Sequence, residues 1–254
     1  MNKAADRSPP QNEMRDSRIQ SNTFKNFLSK NSNLIMKKIF VYIFAFAGLM
    51  TIYTANAQKG FSLSVKTTPQ FSFLENKNDN NNNNYNRKAT FNVNFGIGGG
   101  YNFTKTIGVG ADVLYSLQGQ RYTLNGSKEY NQKNQYVKVP VYFSYNTDAS
   151  KKISFIGKLG PQVSFLTTSK LDDKDGNEIT GDTKNRYKSA TFGAMALAGA
   201  QYKLTRNLYL STAIRFDTDF TNAEDDKYNG YVAGRSKTYN MTTGLEVGLK
   251  YILK

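Results

Sequence analysis

The feature that most constrains this chain is a two-residue hydrophobic period in eight separate segments. In the second of them, Phe91, Val93, Phe95 and Ile97 alternate with glycine and asparagine. Side chains on a β-strand point alternately to its two faces, so this period predicts strands. The segments cover residues 61–73, 91–103, 107–118, 137–145, 153–165, 192–204, 208–216 and 239–253.

The connections between these segments differ in length in a regular way. The short connections are residues 104–106, 146–152 and 205–207, and the long ones are 75–88, 123–133, 167–188 and 217–237. An up-and-down barrel with both termini at one end needs three turns there and four loops at the other end. In bacterial outer-membrane barrels the turns are periplasmic and the loops extracellular. The sequence therefore predicts an all-β fold, an eight-stranded antiparallel up-and-down transmembrane β-barrel.

Two features of the segments do not fit a regular ladder. Pro69, Pro140 and Pro161 lie inside predicted strands, where proline removes a backbone donor. We therefore expect bulges or register adjustments at these prolines. The sixth segment is apolar or small on both parities, and we assign Phe192 to the apolar face because Gln201 falls on the other.

The composition of the polar parity separates a membrane barrel from a soluble one. A face in contact with water is normally rich in lysine and glutamate, whereas here it is mostly Gly, Ser, Asn, Thr and Gln. Small and amide residues suit the narrow interior of an eight-stranded barrel. Aromatic residues near the ends of the apolar parity resemble an interfacial girdle. We therefore predict that the apolar face contacts lipid and that the polar face lines the lumen.

Charged residues on the polar parity form the candidate site of this barrel. They are Asp112, Lys138, Lys158, Arg215, Glu246 and Lys250. In one interpretation they line a narrow pore that passes ions or small solutes. In the other they form a plug of salt bridges and hydrogen bonds, because buried charges must be paired. The narrow lumen of eight strands favours the plug.

The start of the sequence contains a predicted export signal. Met36-Lys37-Lys38 is basic, Ile39 to Met50 is apolar, and Ala55-Asn56-Ala57 is a small-residue cleavage site. Residues 36–57 are therefore predicted to be a secretory signal peptide cleaved after Ala57, because the apolar run is shorter than a membrane-spanning helix requires. Residues 1–35 are polar and aperiodic, and we interpret them as an unstructured upstream extension, which is either the result of a mis-assigned start, with Met36 as the true one, or an unusually long n-region. Residues 58–254 form the predicted barrel domain.

Composition excludes several kinds of chemistry. The chain has no Cys and no His, so it has no thiolate metal site, no Cys nucleophile and no imidazole base. We predict no catalytic, cofactor-binding or metal-binding residues and no cofactor. The net charge of +15 is spread along the chain without a basic stripe, and we predict no nucleic-acid partner.

Two motifs have structural interpretations. The glycine run Gly96-Ile97-Gly98-Gly99-Gly100 is followed by another strand rather than a helix, so it is not a phosphate loop. Asp173-Lys174-Asp175-Gly176-Asn177-Glu178 is loosely similar to a calcium loop, but its glycine comes too early. The Asp175-Gly176 dipeptide instead favours a hairpin turn.

Three further motifs carry a resemblance to a known family. They are residues 113–119 (VLYSLQG), 136–141 (YVKVPV) and 160–163 (GPQV). In these motifs the chain resembles the PorT-type outer-membrane β-barrel family of Bacteroidetes over about residues 60–254. The resemblance implies a barrel of the OmpX and OmpA-transmembrane type, with no catalytic residues. It also implies a link to a secretion and gliding apparatus.

The function expected from the sequence is structural rather than enzymatic. The chain is predicted to lie in the outer membrane and to present four extracellular loops for surface interaction or envelope structure. The alternatives are an accessory barrel of a secretion or gliding apparatus and a narrow pore. The expected partners are outer-membrane lipid, the barrel-assembly machinery and envelope or surface proteins, and the expected oligomeric state is a monomer.

Overall fold

The computed structural model describes residues 60–80, 85–124, 128–147 and 151–253. The predicted signal peptide and the upstream extension lie outside these residues. Nine strands are found in the described part of the chain. They are β1 (Gly60–Asn76), β2 (Tyr85–Asn102), β3 (Ile107–Leu124), β4 (Lys128–Asn146), β5 (Ile153–Asp173), β6 (Glu178–Thr180), β7 (Ala190–Lys203), β8 (Leu208–Asp219) and β9 (Thr238–Ile252).

Eight of these strands close into a ring. Each strand pairs antiparallel with its neighbour along the chain, with β7 following β5, and β1 pairs with β9 to complete the ring. The short strand β6 pairs only with β5 and belongs to a loop. The prediction of an eight-stranded antiparallel barrel is confirmed. Closure leaves the wall without a free strand edge.

The two faces of the wall have the predicted assignment. Phe95 on the apolar parity is 49% exposed, whereas its neighbour Asn94 has no exposed surface. In the ambiguous sixth segment, Phe192 points outward and is 59% exposed, while Gln201 is buried. The barrel therefore has an apolar outer face and a lumen filled by polar side chains.

The connections at one end of the barrel are short, as predicted. They join β2 to β3, β4 to β5 and β7 to β8, and both ends of the described ring lie at this end. The other four connections are L1 (77–84), L2 (125–127), L3 (174–189) and L4 (220–237), of which residues 81–84 and 125–127 lie outside the described residues. L1 contains the short helix α1 (Lys77–Asn80). No helix among the described residues is both long and apolar enough to span a membrane.

The prediction of a long second loop at residues 123–133 is wrong. Strands β3 and β4 continue to Leu124 and from Lys128, and they pair as far as Leu124 with Lys128. The residues added to the strands are mostly polar and lie beyond the apolar band. Backbone hydrogen bonds extend β3 and β4 into these residues. The residues lack the hydrophobic alternation from which strands are predicted in the sequence.

The expected bulges at the three prolines are also absent from the described strands. The pairing of β1 with β9 has a gap at Pro69, but the register is the same on both sides of it. The same holds for Pro140 opposite β3 and for Pro161 opposite β4. A proline lacks the backbone N–H that would bind one of its two neighbouring strands. The ladder therefore loses a few pairs on that side, but the register of the two strands does not change.

Candidate functional site

Arg215 is at the centre of the lumen and is 1% exposed. Its Nε donates to Asp217 Oδ1 over 3.0 Å, and its Nη1 donates to Glu246 Oε2 over 2.9 Å. Arg215 and Asp217 are two residues apart on β8, so both point inward. Glu246 lies on the adjacent strand β9, opposite Ala213. The two carboxylates compensate the buried guanidinium charge.

Asp112 on β3 forms the second part of the network. It accepts a hydrogen bond from Lys66 Nζ on β1 over 2.7 Å and another from the Tyr142 hydroxyl on β4 over 2.9 Å. Arg215 Nη1 lies 4.0 Å from the same carboxylate. Asp112 therefore connects one side of the wall to the arginine that projects from the opposite side.

A third contact extends the network toward the loops. Lys138 Nζ on β4 donates to Asp217 Oδ2 over 3.2 Å. The Thr242 hydroxyl donates to the same oxygen over 3.0 Å. Asp217 thus has three partners from three strands, which anchors β4 to β8 and β9 across the lumen.

The network opens into a small cavity at the short-turn end. Its volume is about 50 Å³, and Lys66, Lys158 and Lys250 line it together with Glu246. Lys158 Nζ lies 3.8 Å from Glu246 Oε1 and 4.9 Å from the centre of the Tyr142 ring. A cavity of this size holds about one or two water molecules.

The structure brings five of the six predicted residues into one network. Asp112, Lys138, Arg215 and Glu246 are linked directly or through Asp217, and Lys158 joins them at Glu246. Lys250 lies apart, because its Nζ donates instead to Gln201 Oε1 over 2.9 Å.

Sequence reasoning missed three members of the network. Lys66 lies on the polar parity of the first segment, so the same alternation predicts that it belongs with the charged residues of the lumen. Asp217 was assigned to the start of a loop, although Arg215-x-Asp217 continues the inward parity of β8. Tyr142 also lies on the polar parity, in the fourth segment, but it is uncharged and so is not among the charged candidates. Gly110 provides the space for its ring, since a Cβ there would lie 2.7 Å from that ring.

The end of the barrel that carries the long loops has a second charged cluster. Arg235 in L4 binds Asp79 of α1 in two parallel hydrogen bonds of 2.8 and 2.9 Å. It also binds Glu224 over 2.8 and 3.0 Å. The hydrogen bond to Asp79 is the largest cause raising the pKa of Arg235 above its usual value. We refer to Arg235, Asp79 and Glu224 as the loop clamp, because they join L1 to L4.

L3 is also joined to L4. The backbone N–H of Lys188 donates to Ala223 O over 2.8 Å, and that of Asp225 donates to Arg186 O over 2.9 Å. The described residues of L1, L3 and L4 therefore form one connected layer at this end of the barrel. Backbone hydrogen bonds and charge-assisted hydrogen bonds hold these loops against one another.

The motif at residues 173–178 forms the predicted turn. Asp173 Oδ1 accepts from the backbone N–H groups of Asp175 and Asn177 over 2.9 and 2.8 Å. Gly176 has a φ of 87°, which favours glycine. The side-chain hydrogen bond from Asn177 is the largest cause lowering the pKa of Asp173.

One family model and several solved structures are similar to this chain. The family model described as "Outer membrane protein beta-barrel domain" matches residues 54–225. Solved structures similar to the chain include OprG of Pseudomonas aeruginosa, with 12% identity and a TM-score of 0.42 over 77% of this chain and 98% of OprG. The attachment invasion locus protein Ail of Yersinia pestis has 14% identity and a TM-score of 0.41 over 76% and 99%. Neisserial surface protein A has 13% identity and a TM-score of 0.41 over 79% and 100%. Comparison with curated proteins gives no match.

Proposed function

Because the chain belongs to the outer-membrane protein β-barrel domain family, we propose that it is a non-conducting, non-enzymatic barrel that presents a connected layer of extracellular loops. One observation carries this proposal. The clamp of Arg235, Asp79 and Glu224 fixes L1 to L4, and L3 is bonded to L4. Loops held in one arrangement lose less conformational entropy when a partner binds. A surface for recognition by other molecules outside the cell is the role that this arrangement supports best.

The filled lumen supports the non-conducting part of the proposal. Arg215, Asp217, Glu246, Asp112 and Lys138 cross the lumen in contact with one another. Moving an ion past them requires breaking buried ion pairs, each of which is costly to break. The expected result in planar lipid bilayers is therefore the absence of stable, sizeable channels. Regular stepwise conductance from the pure protein would contradict the plug and favour the narrow pore.

Presentation of loops is tested on whole cells. Cells that produce the chain are compared with cells that produce a variant in which residues 176–185 of L3 are replaced by a short glycine-serine linker. We expect adhesion to matrix-coated or cell-coated surfaces to fall with the variant while its amount in the outer membrane stays the same. Equal adhesion on every surface tested, with both proteins present in equal amounts, would contradict the proposal.

The resemblance to PorT-type barrels supports a second candidate, an accessory barrel of a secretion or gliding apparatus. The three motifs of the resemblance lie on β3, β4 and β5, which are neighbours in the ring. They form one continuous side of the wall, as expected for a surface that contacts another membrane protein. Crosslinking in intact outer membranes, from a probe introduced at Val141, tests this candidate. A stable envelope protein attached through this side supports it, and crosslinks to lipid alone contradict it.

A further inference from the structure

The barrel wall is interrupted between β2 and β3 near the extracellular end. The register of this pair shifts between Ala89 and Asn94, so the residues between them lose their partners on β3. Side chains of β1 instead bind the β3 backbone groups that have lost their partners on β2. Gln70 Nε2 donates to Leu117 O over 3.0 Å, and Ser72 Oγ accepts from the Gly119 N–H over 2.9 Å. A groove of about 400 Å³ opens on the outer surface at this point.

The groove has an apolar part and a cationic part. Phe71 and Phe91 line it with rings 5.4 Å apart, and they are 51% and 67% exposed. Arg121 and Lys133 line it closer to the loops, near the end of β3 and the start of β4. The aromatic residues lie at the level of the apolar band, and the cations lie just outside it. This order matches an amphiphile with an anionic headgroup above and acyl chains below.

The cations at this site face one another. Lys88 is directly opposite Arg121 in the β2–β3 pair, and Lys133 is directly opposite Lys170 in the β4–β5 pair. Like charges opposite one another on neighbouring strands destabilise a sheet. A bound anion would remove this repulsion.

The nearby carboxylates compensate the cations only in part. Asp172 lies 2.6 Å from Lys133, and Glu178 lies 2.7 Å from Lys170. Arg121 Nε donates to the neutral side-chain oxygen of Asn131 over 3.2 Å. Glu129, on the same face of β4, lies farther out, opposite Thr123.

We propose that this groove binds a phosphorylated lipid of the outer leaflet. The phosphate would lie between Arg121 and Lys133, and an acyl chain would lie against Phe71 and Phe91. Guanidinium groups suit phosphate because they donate two parallel hydrogen bonds to it. The site goes beyond loop presentation, since it would fix the barrel to a specific lipid on its outer wall.

Native mass spectrometry of the full detergent-solubilised barrel tests the site. The probes are bisphosphorylated lipid A, the same lipid with its phosphates removed, and inorganic phosphate as a competitor. The variant is R121Q/K133Q, and the matched control K105Q/R206Q removes the same charge from exposed turns at the opposite end. Heat-modifiable migration on gels establishes that each protein is folded.

We expect R121Q/K133Q to reduce affinity for the phosphorylated lipid at least about tenfold, the loss expected when charge-assisted hydrogen bonds are removed. The control should bind as the unmodified protein does. We also expect the dephosphorylated lipid to bind weakly to the control. Its affinity should equal that of the phosphorylated lipid for R121Q/K133Q. Equal lipid binding by the two double variants would overturn the proposal.

A second variant distinguishes a lipid site from a site for phosphate alone. F71A/F91A should weaken binding of phosphorylated lipid several-fold, because it removes the aromatic surface against the acyl chain. If this variant binds the lipid as tightly as the unmodified protein and inorganic phosphate displaces the lipid fully, the groove is a phosphate site and the lipid proposal fails.

Discussion

At the scale of single residues, the two faces of each strand impose opposite requirements. Phe95 points to lipid near the middle of the wall, where a charge has no partner. The Phe95→Arg substitution should cost about 2–4 kcal/mol of folding free energy in a bilayer, whereas Phe103→Arg, near the short-turn interface, should cost about 0–1 kcal/mol. Urea unfolding in lipid vesicles measures both variants. Equal costs at the two depths would contradict the position assigned to the bilayer.

Inside the lumen, the folding free energy lost on replacing a charged residue depends on how many opposite charges it compensates. Replacing Arg215 with Met leaves Asp217 and Glu246 buried without their strongest partner, and breaking such a pair costs about 3–5 kcal/mol. Lys250→Met is the matched control, because Lys250 binds a neutral amide beside the cavity. We expect it to cost about 1 kcal/mol. Urea unfolding in lipid vesicles measures the folding free energy of both variants. A larger loss of folding free energy for Lys250→Met than for Arg215→Met would argue against Arg215 as the centre of the network.

At the scale of strands, some positions require glycine because a side chain of the neighbouring strand occupies the space that a Cβ would fill. A Cβ at Gly110 on β3 would lie 2.7 Å from the Tyr142 ring, which cannot move away without breaking its bond to Asp112. Gly110→Ala should therefore destabilise the barrel by about 1–3 kcal/mol through overpacking.

Gly99 on β2 provides the control for that substitution. A Cβ at Gly99 would point outward and would lie 3.9 Å from the Ser62 carbonyl oxygen, which is an ordinary van der Waals contact. Gly99→Ala should stabilise the protein by about 0.5 kcal/mol because alanine has less backbone freedom in the unfolded chain. Comparison of the two urea midpoints tests this, and a neutral Gly110→Ala would show that Tyr142 is not confined.

At the scale of the whole barrel domain, the loop layer and the wall should unfold separately. The clamp residue Arg235 forms its ion pairs with Asp79 in α1 and Glu224 in L4, whereas the wall is held by its closed ladder. Arg235→Gln should make L4 more susceptible to proteinase K, since local opening requires less free energy than global unfolding. Heat-modifiable migration of the wall should be unchanged.

The matched control for the clamp is Arg206→Gln, in a turn at the opposite end. Cleavage of reconstituted protein is followed by mass spectrometry, which assigns the cut sites. If L4 is cleaved at the same rate in Arg235→Gln and Arg206→Gln, the clamp does not hold the loops together.

The sequence alone predicts the number of strands in the ring, their order around it and the face that each residue of the eight alternating segments presents. These depend on local properties, namely a period of two and the lengths of connections. Even in the ambiguous sixth segment, the parity of Gln201 and Lys203 correctly predicts that Phe192 faces outward. Family membership and location in the outer membrane agree with that local pattern.

Only the tertiary structure decided which charges meet. Lys66, Asp112 and Arg215 lie on β1, β3 and β8, and the stagger of a closed barrel brings them to one level. That stagger depends on the sum of all registers, which no single segment encodes. The bulge in β2, the extension of β3 and β4 past the apolar band, and the loop clamp likewise depend on contacts between distant parts of the chain. Polar residues make those contacts, and they carry no periodic signal outside the membrane.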